Sequence, residues 1–158
     1  MFVNVAKNTN NEFKNILGML AYYLNGLKEL SSIETTPLRI TTYEDVIEDD
    51  FLLFLILNGG SAGGFSNLGK HAKMDDGLLD LVAIKGVTIS NLPELLFKII
   101  QGNHINDDNV IHLKTSYLKI ELMNKNIGDF KVNLDGEEGP ELPIEVFVDP
   151  EGIDVFTK

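Results

Sequence analysis

Cysteine and tryptophan are missing from these 158 residues, and arginine occurs once, at Arg39. Without cysteine there is no disulfide, no thiol nucleophile and no cysteine-ligated zinc. Basic residues are scarce: 13 Lys+Arg stand against 24 Asp+Glu, a formal net charge of -11. Nucleic-acid binding depends on Lys and Arg neutralising phosphates, so this charge disfavours it. Bulk attraction to an anionic membrane surface is disfavoured for the same reason. A single arginine excludes a multi-arginine phosphate clamp. Long hydrophobic runs are missing too. The longest, residues 51–57, falls short of the ~20 residues a spanning helix needs. Residues 1–11 carry neither the basic start nor the apolar stretch of a signal sequence. A cytoplasmic location is the default expectation.

What is present describes a folded domain. Apolar residues make up 44%, and the length suits one domain with a sizeable core. Phe13, Ile16, Leu17, Leu20, Leu24 and Leu27 fall at helical spacing, which predicts an amphipathic helix over residues 12–30. A second helix is predicted over residues 91–100, capped by Asn91 with Glu94 three residues on and ended by Gly102. Strands are predicted at residues 38–42, 51–57, 78–84, 110–113, 117–122, 130–134 and 144–148. The acidic cluster Glu44, Asp45, Glu48, Asp49 and Asp50 reads as a solvated loop rather than a metal site. The expected fold is mainly β within the α+β class, an antiparallel sandwich-like domain with two packed helices.

Three groups of residues invite a chemical reading. Gly64 to His71 satisfies GxxxxGK, but His71 stands where a P-loop needs Ser or Thr for magnesium. The segment also follows a loop rather than leaving a strand directly, so its glycines are read as turn formers. The histidines His71, His104 and His112 show no i,i+4 pair of the zinc type. The segment Asn133-Leu134-Asp135-Gly136-Glu137 places carboxylates at a strand end. By itself it reads as an acidic hairpin turn.

Four motifs in order carry more than any one alone: Asn58-Gly59-Gly60-Ser61-Ala62-Gly63-Gly64-Phe65, Asp75-Asp76-Gly77-Leu78-Leu79-Asp80, Gly102-Asn103-His104 and Asn133-Leu134-Asp135-Gly136-Glu137. Together they resemble the bacterial diacylglycerol kinase family, soluble lipid kinases related to sphingosine kinases. The resemblance runs from about Phe13 to Phe156 and is to the C-terminal, lipid-substrate domain. The GGDGT sequence of the family's ATP-binding domain does not occur here. The resemblance implies that Glu137 is the general base toward the lipid hydroxyl and that Asp135 helps organise magnesium and water. It implies a structural Mg2+ at the side chain of Asp76 and the carbonyls of Lys73 and Leu78. His104 and Asp107 match recurring family residues without an assigned role. ATP is the implied co-substrate, bound mainly by a domain not present in these residues. The isolated chain is therefore expected to be inactive, with contact to the membrane surface arising in the whole enzyme. A non-catalytic lipid- or partner-binding domain, a purely structural one, and a kinase for a sphingoid base or an NAD ribose stay as alternatives. A homodimer through exposed sheet edges is left open.

Overall fold

A computed structural model describes residues 34–62, 65–124, 130–150 and 152. The predicted helix over residues 12–30 lies outside them. Eight strands and one α-helix follow in order: β1 (Thr36–Thr42), β2 (Val46–Leu57), β3 (Leu79–Lys85), α1 (Leu92–Gln101), β4 (Val110–Thr115), β5 (Tyr117–Leu122), β6 (Lys131–Leu134), β7 (Glu137–Glu141) and β8 (Ile144–Phe147). Six strands form one sheet in the order β4-β3-β2-β1-β5-β8, and β6 with β7 forms a separate two-stranded ribbon. Every strand pairing is antiparallel. The expected class, a mainly β sandwich-like α+β domain, is the one observed.

The six-stranded sheet buries side chains on both faces, because its strands alternate at period two between two cores. Leu38, Ile40, Phe51, Leu81, Ala83, Leu118 and Ile120 form one core. Leu57, Leu68, Val82, Ile84 and Val110 form the other, with Leu95 and Ile99 of α1 packed into it. Strand β3 is central to both, so its run Asp80 to Ile84 is buried throughout. Burying each such aliphatic side chain stabilises the fold by roughly 1.5–3 kcal/mol.

Two local expectations change. Glu48, Asp49 and Asp50 belong to β2 rather than to a loop. Their pairing with β1 is supported by Arg39 Nε to Glu48 Oε1 at 2.6 Å, and Lys85 Nζ lies 3.3 Å from Asp49 Oδ2. Cross-strand cations of this kind make an acidic run tolerable in a strand. The continuous apolar run of residues 51–57 reads as a strand buried on both faces, yet it contains a register shift between Phe51 and Leu53, and Leu53 is exposed. At α1, Asn91 makes no side-chain cap; Glu94 instead pairs with Lys98 at 2.8 Å. The other end is as expected. Gly102 adopts φ 68° and donates to Ile99 O, while Asn103 N–H donates to Lys98 O.

Candidate functional site

Three of the four sequence motifs meet where β2 ends and β3 begins. The Gly59-Gly60 loop and the 66–71 turn are joined by Gly69 N–H donating to Gly60 O at 3.1 Å. They lie so close that a Cβ on Gly69 would sit 2.7 Å from Gly59 O. The exposed Met74, just before the Asp75-Asp76-Gly77 turn, reaches back over Gly59. Gly102 lies against Asn67 and Lys70 of the same turn, and His104 reaches it as well.

His104 is fully buried, its Nε2 is bonded to Leu68 O at 2.9 Å, and its Nδ1 is buried without a geometric hydrogen bond, near the Lys98 backbone. Burial, with smaller contributions from the neighbouring His112 and Lys70 charges, holds its pKa below the usual histidine value. Lys98 ties this segment to α1, with Nζ 2.7 Å from Asp107 Oδ2 and 2.8 Å from Glu94 Oε1. Its pKa is raised and that of Asp107 lowered by their mutual hydrogen bond. The 102–109 segment is thus a clamp on the glycine-rich turns. A depressed histidine pKa means the unfolded chain takes up the proton first. The stability His104 contributes is complete above about pH 6.5 and falls as pH drops toward the folded-state value. Thermal melts from pH 7.5 to 5.0 check this: the His104→Gln variant starts lower but loses less on acidification than wild type. Parallel slopes for the two proteins contradict the assignment.

The Asp76 turn is tightly satisfied. Asp76 Oδ1 accepts from Leu78 N–H at 3.1 Å, and Oδ2 accepts from Lys114 Nζ at 2.7 Å. The Lys114 ammonium, followed by the Leu78 N–H and the Lys73 charge, lowers the Asp76 pKa, and Asp76 in turn raises that of Lys114. Four residues further on, in β3, Asp80 is fully buried. Its Oδ1 accepts from His112 Nε2–H at 2.9 Å. Its Oδ2 has no hydrogen bond and lies 3.6 Å from Lys114 Nζ. Among the described residues no three His, Asp or Glu side chains converge as metal ligands. A cation at Asp76 would therefore rest on one ionised carboxylate, with backbone carbonyls and water completing its shell. That donor set fits magnesium, a hard ion that keeps several waters. Beside it opens a cleft of about 160 Å³ bordered by Thr42, Tyr43, Leu78, Lys114 and Thr115. Its volume is below the 300–1,000 Å³ typical of drug-sized ligand sites.

The fourth motif stands apart on the β6–β7 ribbon. Asp135 and Gly136 have φ 51° and 97°, the pair of positive values that defines a type I′ hairpin turn. Asn133 Oδ1 accepts from Gly136 N–H at 2.9 Å, which explains asparagine at that position. Leu134 and Glu137 are directly paired across the ribbon, so their side chains share one face. Both are exposed. Glu138 is engaged by Lys131 at 2.6 Å, whereas Asp135 and Glu137 make no ion pair with any described residue. No side-chain hydrogen bond or ion pair among the described residues links the ribbon to the Asp76 turn.

The expected residues therefore fall into two places: Lys73, Asp76 and Leu78 at the turn, Asp135 and Glu137 on the ribbon. Asp80, His112 and Lys114 escaped the sequence reading as a group. The available signal was one acid inside the apolar run Leu78-Leu79-Asp80-Leu81-Val82, since a charge there needs a buried partner.

Residues 3–157 match a family described as the YegS C-terminal NAD kinase beta sandwich-like domain. A diacylglycerol kinase of Bacillus subtilis strain 168 is 33% identical over 134 residues, covering 85% of this chain and 43% of the relative. One from Staphylococcus aureus strain Newman is 30% identical over 152 residues, covering 96% and 47%. The crystal structure of a diacylglycerol kinase from Bacillus anthracis Sterne superposes with a TM-score of 0.58 at 26% identity, over 90% of this chain and 50% of that one. The chain spans about half the length of the curated relatives it matches.

Proposed function

This chain belongs to the YegS C-terminal NAD kinase beta sandwich-like family, and from that premise we propose that it is the lipid-substrate half of an ATP-dependent diacylglycerol kinase. The observation that carries the reading is Glu137: an exposed carboxylate at the hairpin turn, unpaired among the described residues, whose neighbour Glu138 is neutralised by Lys131. In the reaction Glu137 accepts the proton of the lipid hydroxyl. The hydroxyl oxygen forms a bond to the γ-phosphorus as the bond to the β-phosphate oxygen breaks, giving phosphatidic acid and ADP. Phosphoryl transfer has a loose transition state, so a base acts mainly by orienting the hydroxyl. Asp135, on the same turn, would orient water and magnesium near that carboxylate. Asp76, with the carbonyls of Lys73 and Leu78, would hold a second magnesium, which would fasten the Asp75-Asp76-Gly77 turn. When bound, magnesium supplies positive charge and nothing redox. ATP is held by a partner half carrying the phosphate-binding glycines that this sequence lacks. The substrate is a bilayer lipid, so contact with the membrane is peripheral. No described helix is long and apolar enough to cross one.

A substrate panel tests the reading. The parent protein carrying both halves phosphorylates short-chain diacylglycerol in detergent micelles in preference to sphingosine or NAD. Preference for either of the latter replaces diacylglycerol with that hydroxyl, and binding without turnover of any of them leaves a non-catalytic domain. The 158-residue chain alone gives no transfer.

A further inference from the structure

We propose that Lys114 is a displaceable internal cation: a divalent ion that takes Asp76 moves the Lys114 ammonium onto the buried carboxylate of Asp80. The proposal rests on the magnesium assignment at Asp76 made above.

The strand register sets up the choice. Asp80 on β3 is directly opposite Lys114 on β4, so the two side chains rise from the same face. Lys114 Nζ is bonded to Asp76 Oδ2 at 2.7 Å and stands 3.6 Å from Asp80 Oδ2, beyond hydrogen-bond range. Asp80 Oδ2 is buried and has no hydrogen-bond partner. A buried carboxylate oxygen without a donor is costly, and folded proteins leave few of them. A shift of about 1 Å at the end of a flexible four-carbon stem brings the ammonium within bonding distance of it. There are thus two carboxylate seats and one ammonium between them.

The charges favour the exchange. Asp76 and Asp80 carry two negative charges against one on Lys114, and the nearby Lys73 is not hydrogen-bonded to either acid. A divalent ion on Asp76 repels the ammonium 2.7 Å away and replaces its bond to Oδ2. Without Asp80 the displaced ammonium would enter a half-buried site unpaired. With Asp80 it tightens the existing 3.6 Å ion pair with Oδ2 into a hydrogen bond, and His112 keeps the other oxygen. Asp80 is then a positioning residue for the turn, acting through Lys114.

Magnesium titration by calorimetry on the 158-residue chain tests this, with Lys114→Met, Lys114→Gln, Asp80→Asn and Asp76→Asn beside wild type. Removing the competing ammonium raises apparent magnesium affinity about ten-fold in both Lys114 variants, as removal of a competing bound state does. Asp80→Asn weakens binding several-fold, because the ammonium loses its alternative seat. Asp76→Asn abolishes binding. Magnesium also shifts the His112 ring resonances in wild type but not in Lys114→Met, a readout that mere loss of packing would not produce. Equal affinities in wild type and both Lys114 variants, with Asp76→Asn still inactive in binding, overturn the exchange and leave the metal site standing. No magnesium binding in wild type or either Lys114 variant overturns the metal assignment and this inference together.

Discussion

In the parent protein carrying both halves, Glu137→Gln lowers phosphorylation of diacylglycerol by roughly 100- to 10,000-fold, the range expected for losing a positioned general base. The amide keeps the shape of the side chain and removes its capacity to accept a proton. Stability stays near that of wild type, because Glu137 is exposed and makes no ion pair with a described residue. Glu138→Gln is the control. It breaks the exposed pair with Lys131, which is worth less than about 1 kcal/mol, and activity stays within about two-fold of wild type. The loss falls on kcat, since a group that orients the reacting hydroxyl acts in the transition state. Steady-state kinetics on both variants, with melting curves, separate a base from a turn residue. Near-normal kcat in Glu137→Gln removes it from the role.

Gly69→Ala destabilises the domain by about 2 kcal/mol, a fall in melting midpoint of about 6 °C for a chain of this size. The cause is contact rather than backbone conformation. A Cβ on Gly69 meets Gly59 O at 2.7 Å, Ala72 Cβ at 3.1 Å and a Leu57 methyl at 3.3 Å. The nearest of these is backbone, so the 66–71 turn and the Asn58-Gly59-Gly60 loop must separate, weakening the Gly69 N–H to Gly60 O bond. Gly60→Ala is the contrast. Its nearest neighbour is Gly69 O at 3.5 Å, ordinary van der Waals contact, and its midpoint moves by no more than about 1 °C. Paired melts of the two variants check the claim that these loops form one packed unit. Equal stabilities in the two contradict it.

The sequence made some features readable and hid others for physical reasons. Local signals were legible. Asp135-Gly136 is a hairpin turn because only a few residue types accept positive φ at both central positions, and Gly102 ends α1 for a related reason. Strand β7 was hidden because Gly139 and Pro140 read as breakers, yet a two-stranded ribbon has edges on both sides where proline costs no ladder bond. The acidic start of β2 was hidden because its partners Arg39 and Lys85 lie on neighbouring strands. The same holds for Asp80, which only the β3–β4 register brings to His112 and Lys114, more than 30 residues further along the sequence. Pairings across strands are tertiary facts, and a one-dimensional pattern reports only that a charge needs a partner. The family resemblance supplied what local chemistry could not, a reason for Glu137 to face a hydroxyl.

Transfer of radiolabelled γ-phosphate from ATP to dioctanoylglycerol is the most direct measurement of the central claim. Labelled phosphatidic acid is expected from the parent protein carrying both halves, at least about 100-fold less from its Glu137→Gln variant, and none from the 158-residue chain alone. Labelled product from the chain alone, or no product from the active-site-intact parent protein, contradicts it.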